Sequence, residues 1–215
     1  MGPLVLLGVR PKRHRQAGLG SLLALVCAAA LSFGMLGCRG KGAPMASTTR
    51  PATGPGPKPA GSWSLTSEAF SYNERIPAKY TCEGEDTSPD LSWTDPPTGA
   101  AELALICDDP DAPAGTWTHW VLYGMPVSLR ALPAGIPTTG SPADLGGARQ
   151  GRNSSGDTGY QGPCPPPGPD HQYHFRLYAL DAPVSLPAGA ERADLEKAMT
   201  GHIVGHAELV GLYSR

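Results

Sequence analysis

What most constrains this chain is where its glycines and prolines fall. Between Gly146 and Pro169, twelve of 24 residues are one or the other. Such a stretch cannot run as a helix, because proline lacks the amide donor and clashes with the preceding turn. Nor can it lie centrally in a sheet. Arg39 to Gly61 is a second concentration, with ten such residues in 23. It contains no aromatic residue, so it buries too little surface to offset chain entropy and reads as a disordered tether. The stretch from Gly146 runs instead into a well-formed strand pattern, where its prolines tighten a wall. The same composition therefore signals looseness in one place and rigidity in the other.

Charge is divided just as unevenly. Every acid lies after Gly61, where nineteen Asp and Glu face only nine Lys and Arg. A domain that acidic lacks the positive footprint nucleic acid requires. The first fifteen residues carry Arg10, Lys12, Arg13 and Arg15, and Leu19–Leu36 follows as eighteen uncharged residues. A basic segment, an apolar run and small residues at its end compose an export signal. Met35-Leu36-Gly37-Cys38 resembles the bacterial lipobox, in which the Cys is diacylated and becomes the mature N-terminus, although Met35 stands where Leu is usual. Arg39 after that Cys gives no inner-membrane retention signal. The expectation is a signal over 1–37, a tether over 38–61 and a folded domain over 62–215. The protein would be lipid-anchored through Cys38 in the bacterial cell envelope, on the periplasmic side and with the outer membrane favoured. Plain secretion and an uncleaved anchor are the alternatives.

Within 62–215 the pattern is mostly strands. Trp63–Glu68 alternates imperfectly, Leu91–Trp93 is short, and Glu102–Cys107 and Trp117–Met125 are dense in β-formers. In His171–Leu180, Tyr173, Phe175, Leu177 and Ala179 share one face. A helix is expected over Ala190–Met199, with Leu195 and Met199 on one side, and a last strand over Ile203–Tyr213. The fold class is mainly β, a sandwich of antiparallel sheets.

Three segments concentrate polar groups that are costly to bury. Asp108-Asp109-Pro110-Asp111-Ala112-Pro113 is a proline-stiffened acidic corner at a strand end. In Trp117-Thr118-His119-Trp120, alternation puts Trp117 with His119 and Thr118 with Trp120. Gly156 to Pro167, with its glycines and prolines, can turn backbone N–H groups inward as anion nests do.

The motifs DPDAP (Asp109–Pro113), TWTHW (Thr116–Trp120) and GRNSSGDTGYQGPCPPPGPDHQYHF (Gly151–Phe175) resemble the phosphatidylethanolamine-binding protein family, in its bacterial YbhB/YbcL-like (Raf kinase inhibitor-like) branch. YTCEGEDTSPDLSW (Tyr80–Trp93) and LEKAMTGHIVGHAELVGLY (Leu195–Tyr213) extend the likeness over the whole folded part. The resemblance implies a β-sandwich with Greek-key elements and a few peripheral helices. It also implies a small pocket for an anion such as a phospholipid head group. Carried over by motif, the pocket residues are Asp109, Asp111, His119, Gly162, His171 and Tyr173, with Pro113, Trp117 and Tyr160 shaping its wall. Gln172 stands where the family usually has Arg, which removes a positive charge near the rim. Ionised aspartates would repel an anion, so they are expected to orient the imidazoles and favour their charged forms.

Catalysis finds little support: there is no HExxH, GxSxG or CxxC. His171 and His174 should face opposite ways on a strand, and His202 and His206 should not converge, so neither a metal nor another cofactor is expected. The alternatives to a non-catalytic anion-binding protein are an inhibitor or regulator of a partner protein and, less favoured, a hydrolase or isomerase. Beyond the signal and Cys38, three cysteines remain. Outside the cytoplasm an odd count means a free thiol or an intermolecular bond. Cys107 closes an apolar strand as a buried thiol, and the placement of Cys82 and Cys164 beside the motif loops favours a disulfide between them.

Overall fold

The computed structural model describes residues Trp63–Arg215. The expected signal, lipobox and tether lie outside them. In chain order the strands are β1 (Leu65–Thr66), β2 (Glu74–Arg75), β3 (Leu91–Trp93), β4 (Glu102–Asp109), β5 (Trp117–Pro126), β6 (Ala131–Leu132), β7 (Arg149–Gln150), β8 (His171–Leu180) and, after helix α1 (Arg192–Met199), β9 (Ile203–Tyr213). A short 3₁₀ turn spans Ala78–Tyr80.

Two sheets form. The smaller has the order β1-β3-β6 and the larger β2-β9-β8-β4-β5-β7. All pairs are antiparallel except β2 with β9, which is parallel. After the β4–β5 hairpin the long glycine- and proline-rich connection returns β8 to the free side of β4, the non-local step of a Greek key. This mainly β sandwich is the architecture expected, although β1 is shorter than its pattern. The chain leaves the ladder there because the Asp90 carboxylate takes the Glu68 N–H at 2.7 Å and the Ser67 hydroxyl at 3.3 Å.

Strand β4 is buried along its whole length because both its faces are covered. Leu103, Leu105 and Cys107 join Phe175, Leu177, Trp120 and Leu122 in the core between the sheets. Ala104 and Ile106 point the other way, to Val121, Tyr123, Leu195 and Met199 beneath α1. The helix begins at Arg192 rather than Ala190, which is buried against Tyr123. The Asp194 carboxylate accepts the Glu191 N–H at the helix start.

The β4–β5 register shifts twice, once between Leu103 and Leu105 and once, beside the site, between Cys107 and Asp108. Cys107 pairs with Trp120 and Asp108 with Thr118, so His119 is an extra residue opposite no partner, a β-bulge. The bulge brings Trp120 to the same side as His119, contrary to strict alternation. Trp120 packs edge-on against Tyr160 in the inter-sheet core, and the His119 ring meets Tyr173 edge-on at 5.1 Å.

Candidate functional site

At one end of the sandwich the inner face of the large sheet terminates in polar side chains. Asp109 ends β4, Trp117 and His119 begin β5, and His171 and Tyr173 begin β8. With the loop Gln161–Pro166 they line a pocket of about 210 Å³, together with Ala112 and Pro113.

The pocket side chains are held by a specific set of bonds. Asp109 uses both carboxylate oxygens: Oδ1 accepts the Asp111 N–H at 2.8 Å and Oδ2 accepts from His171 Nδ1 at 2.8 Å. His119 Nδ1 lies 2.7 Å from the Gln161 carbonyl oxygen, which can only accept, so this nitrogen carries the hydrogen. The Gln161 N–H returns a bond to the His119 carbonyl at 2.9 Å. Gln161 Oε1 also accepts from Trp117 Nε1 and Ser155 Oγ. Both imidazoles thus have Nδ1 committed, leaving Nε2 without a protein partner among the described residues.

Burial lowers the pKa of His119 below its usual 6.5, outweighing the Gln161 carbonyl and the charges of Asp109, Asp108 and Asp86. The pull of the aspartates toward the charged form of His119 is thus outweighed by its burial. The Tyr173 phenol is pushed up, first by burial and then by Asp109. Its hydroxyl is the one buried side-chain polar atom without a hydrogen bond among the described residues.

Two residues expected at the site stand outside the lining. Asp111 is exposed and ties the acidic corner to β8, its Oδ2 accepting the Gln172 N–H at 2.9 Å. Tyr160 is 5% exposed in the core, where it donates to the Tyr80 carbonyl at 2.8 Å. Gly162 lines the pocket, but its N–H goes to Asp86 Oδ1 at 2.6 Å, and prolines supply no donor. No inward nest of amides therefore forms around Gly162. Glycine is required there by close packing, since a Cβ would stand 2.5 Å from the Tyr80 carbonyl oxygen.

Two contributors, Gln161 and Asp86, escaped the sequence reading. Gln161 grips His119 through its backbone, and Asp86 holds Gly162 in place. Cys164, also in the wall, is joined to Cys82 by a disulfide with a Cα–Cα distance of 5.4 Å. Cys107 is a buried free thiol. Two other histidines are engaged elsewhere, His174 Nδ1 with Glu208 and His202 Nδ1 with Asp181, each at 2.8 Å.

A two-sheet sandwich with a small pocket of imidazole, phenol and carboxylate at one end defines a binding fold. Residues 66–214 match the phosphatidylethanolamine-binding protein family. The chain belongs to that family. It is 51% identical over 151 residues to a UPF0098 protein of Methanothermobacter thermautotrophicus, covering 70% of this chain and 98% of that one. Against a UPF0098 protein of Chlamydia muridarum the identity is 42%, with coverage of 70% and 98%. Among solved structures, the phosphatidylethanolamine-binding protein homologue CT736 of Chlamydia trachomatis superposes with a TM-score of 0.64 at 40% identity, covering 72% and 98%. YbcL of Escherichia coli gives 0.67 at 29%, covering 71% and 98%.

Proposed function

We propose that this chain is a membrane-tethered, extracytoplasmic binding protein that takes a small anion, phosphate or a phospholipid head group, without catalysing a reaction on it. The buried, unpartnered hydroxyl of Tyr173 carries this reading. A buried polar group normally has a partner, and this one lines an open pocket beside two imidazoles whose Nδ1 atoms are already engaged. An acceptor oxygen from a ligand would complete it. A volume of about 210 Å³ is below that of pockets for drug-sized ligands and fits a head group rather than a whole lipid. The non-catalytic reading draws support from the lining, where among the described residues the one sulfur is tied in a disulfide and no serine or threonine stands. The tether rests on the basic segment, the apolar run and Met35-Leu36-Gly37-Cys38.

Titrating the full chain in detergent with inorganic phosphate or O-phosphoethanolamine, while following ring signals of His119 and Tyr173 by NMR, tests the pocket. Millimolar ligand should shift both, and unmoved signals would refute the anion reading. For the tether, labelled palmitate should enter the wild type and not Cys38→Ala. Equal labelling, or none in either, would refute it.

A further inference from the structure

Gln161 and Gly162 share one peptide group, and both of its polar atoms are taken. Its carbonyl oxygen accepts from His119 Nδ1 at 2.7 Å, and its N–H, that of Gly162, donates to Asp86 Oδ1 at 2.6 Å. A carboxylate outside the pocket lining is thereby joined to an imidazole inside it through a single amide. On one side the joint is fixed to β5, where the Gln161 N–H bonds the His119 carbonyl at 2.9 Å. On the other, the loop carrying Asp86 is tied to the pocket wall by three links. These are the Cys82–Cys164 disulfide, the Cys82 N–H to the Pro163 carbonyl at 3.1 Å and the Tyr160 hydroxyl to the Tyr80 carbonyl at 2.8 Å. Asp86 itself stands in the left-handed region at φ 52°, which aspartate and asparagine adopt more readily than most residues. A Cβ at Gly162 would lie 2.7 Å from Asp86 Oδ1, so glycine also allows the carboxylate its close approach.

We infer that Asp86 is a positioning residue of the pocket, acting through the Gln161–Gly162 peptide to hold the hydrogen on His119 Nδ1 and to strengthen Nε2 as the base a ligand meets. A carboxylate accepting from the N–H polarises the amide and makes its carbonyl a stronger acceptor, because hydrogen bonds in a chain reinforce one another. A strong acceptor at Nδ1 fixes the tautomer and raises the basicity of the other ring nitrogen. The second imidazole has the same arrangement without an intermediary, since His171 Nδ1 bonds Asp109 Oδ2 directly. The other titratable groups facing His119 are Asp108 and Asp109 from β4 and His171 and Tyr173 from β8, and none of them hydrogen-bonds its ring. The Asp86 charge favours the protonated ring, against the effect of burial. All of this concerns the ligand-free protein and holds whatever the pocket takes.

Along the two bonds and the amide between them, Asp86 Oδ1 lies no more than about 8 Å from Nδ1. At that distance one negative charge, screened as in water, raises a pKa by about 0.4. The full chain in detergent, at low salt, without ligand and with 15N-labelled histidine, would be followed by NMR as pH is lowered from 8. His119 is assigned by the loss of its signals in His119→Gln. Asp86→Asn keeps an oxygen for the Gly162 N–H and tolerates the positive φ, but removes the charge. It should retain the Nδ1–H tautomer, lower the His119 pKa by about 0.4 or more and move the Nδ1–H proton upfield. Asp86→Ala should move that proton further. Glu85→Gln removes the adjacent exposed charge, which has no bond to this peptide, and should change neither signal. Unchanged His119 signals in Asp86→Asn overturn the inference. An equal effect of Glu85→Gln overturns it too, because charge alone would then be the cause. A change confined to Asp86→Ala would reduce Asp86 to a brace for Gly162, which also overturns it. Should His119 not titrate before the chain unfolds, the Nδ1–H signal at pH 7 decides. Should Asp86→Ala not fold, Asp86→Asn against the wild type decides. With no ligand present, the outcome is separate from that of the anion titration above.

Discussion

The Tyr173 ring sits in the core between the sheets, 1% exposed, with its hydroxyl making no well-formed hydrogen bond although the Asp109 carboxylate acts on it. Leaving a buried polar group unpaired costs about 1–3 kcal/mol, and the neighbouring Asp109 carboxylate places this one at the low end. Removing the oxygen in Tyr173→Phe keeps the packing, so the ligand-free protein should gain about 1 kcal/mol. At a urea m-value of about 2 kcal/mol/M, the unfolding midpoint should rise by about 0.5 M. The same change removes a donor to the ligand. A hydrogen bond to a charged group contributes about 1.5–3 kcal/mol, so phosphate affinity should fall about tenfold to a hundredfold. Urea unfolding followed by tryptophan fluorescence, with and without phosphate, measures both effects. The reasoning is refuted if the ligand-free variant is less stable by 1 kcal/mol or more. That result would mean that the hydroxyl has a strong partner in the folded protein, with Asp109 the carboxylate already acting on it.

Three further outcomes follow from the geometry. Reducing the Cys82–Cys164 bond, whose half-cystines are both exposed and 82 residues apart, releases about 4 kcal/mol of chain-entropy restraint and should lower Tm by about 10 °C in a thermal melt. It should also loosen the wall at Cys164, read as broadened His119 signals. Asp108 is 1% exposed and bonds Arg176 at 2.6 and 2.7 Å and Arg192 at 2.7 Å, so Asp108→Asn should cost about 3 kcal/mol in urea, discounted for the partly exposed guanidiniums. Because the folded-state pKa of His119 lies below 6.5, the unfolded chain binds the proton more readily. Its contribution is therefore complete above pH 6.5 and is lost as pH falls from there toward the folded pKa. The slope of unfolding free energy against pH just below 6.5 should shrink in His119→Gln, and an unchanged slope would contradict the assignment.

The major strands were legible because their apolar residues recur with period two, and α1 because Leu195 and Met199 are one turn apart. The acidic corner, His119, His171 and Tyr173 could be placed in one region by motif, and the structure brings Asp109 and those three together. What the sequence could not disclose depends on pairing between distant segments. The side to which Trp120 points follows from a bulge visible only when β5 is laid against β4. Tyr160 was expected in the wall, but its hydroxyl is drawn to the Tyr80 carbonyl, 80 residues earlier. The glycine-rich loop suggested free amides, whereas Asp86 claims the one at Gly162. Such partners carry no local periodicity, so pattern alone cannot reveal them.

Asp108 and Asp109 are consecutive, yet the strand sends them to opposite faces with different partners. Asp108 meets two arginines beneath α1, while Asp109 meets an imidazole and an amide at the pocket. Asp108 thus engages two arginines on the face away from the pocket, and among the described residues no Lys or Arg lines the pocket itself. An anion entering it must be met by a phenol hydrogen and by imidazoles, not by a guanidinium or ammonium. Hydrogen-bond matching falls off sharply with the wrong donor or acceptor, whereas a fixed positive charge would attract sulfate, diesters and phosphate alike. Among the described residues, the pocket therefore offers a ligand oriented hydrogen-bonding side chains rather than a fixed positive charge.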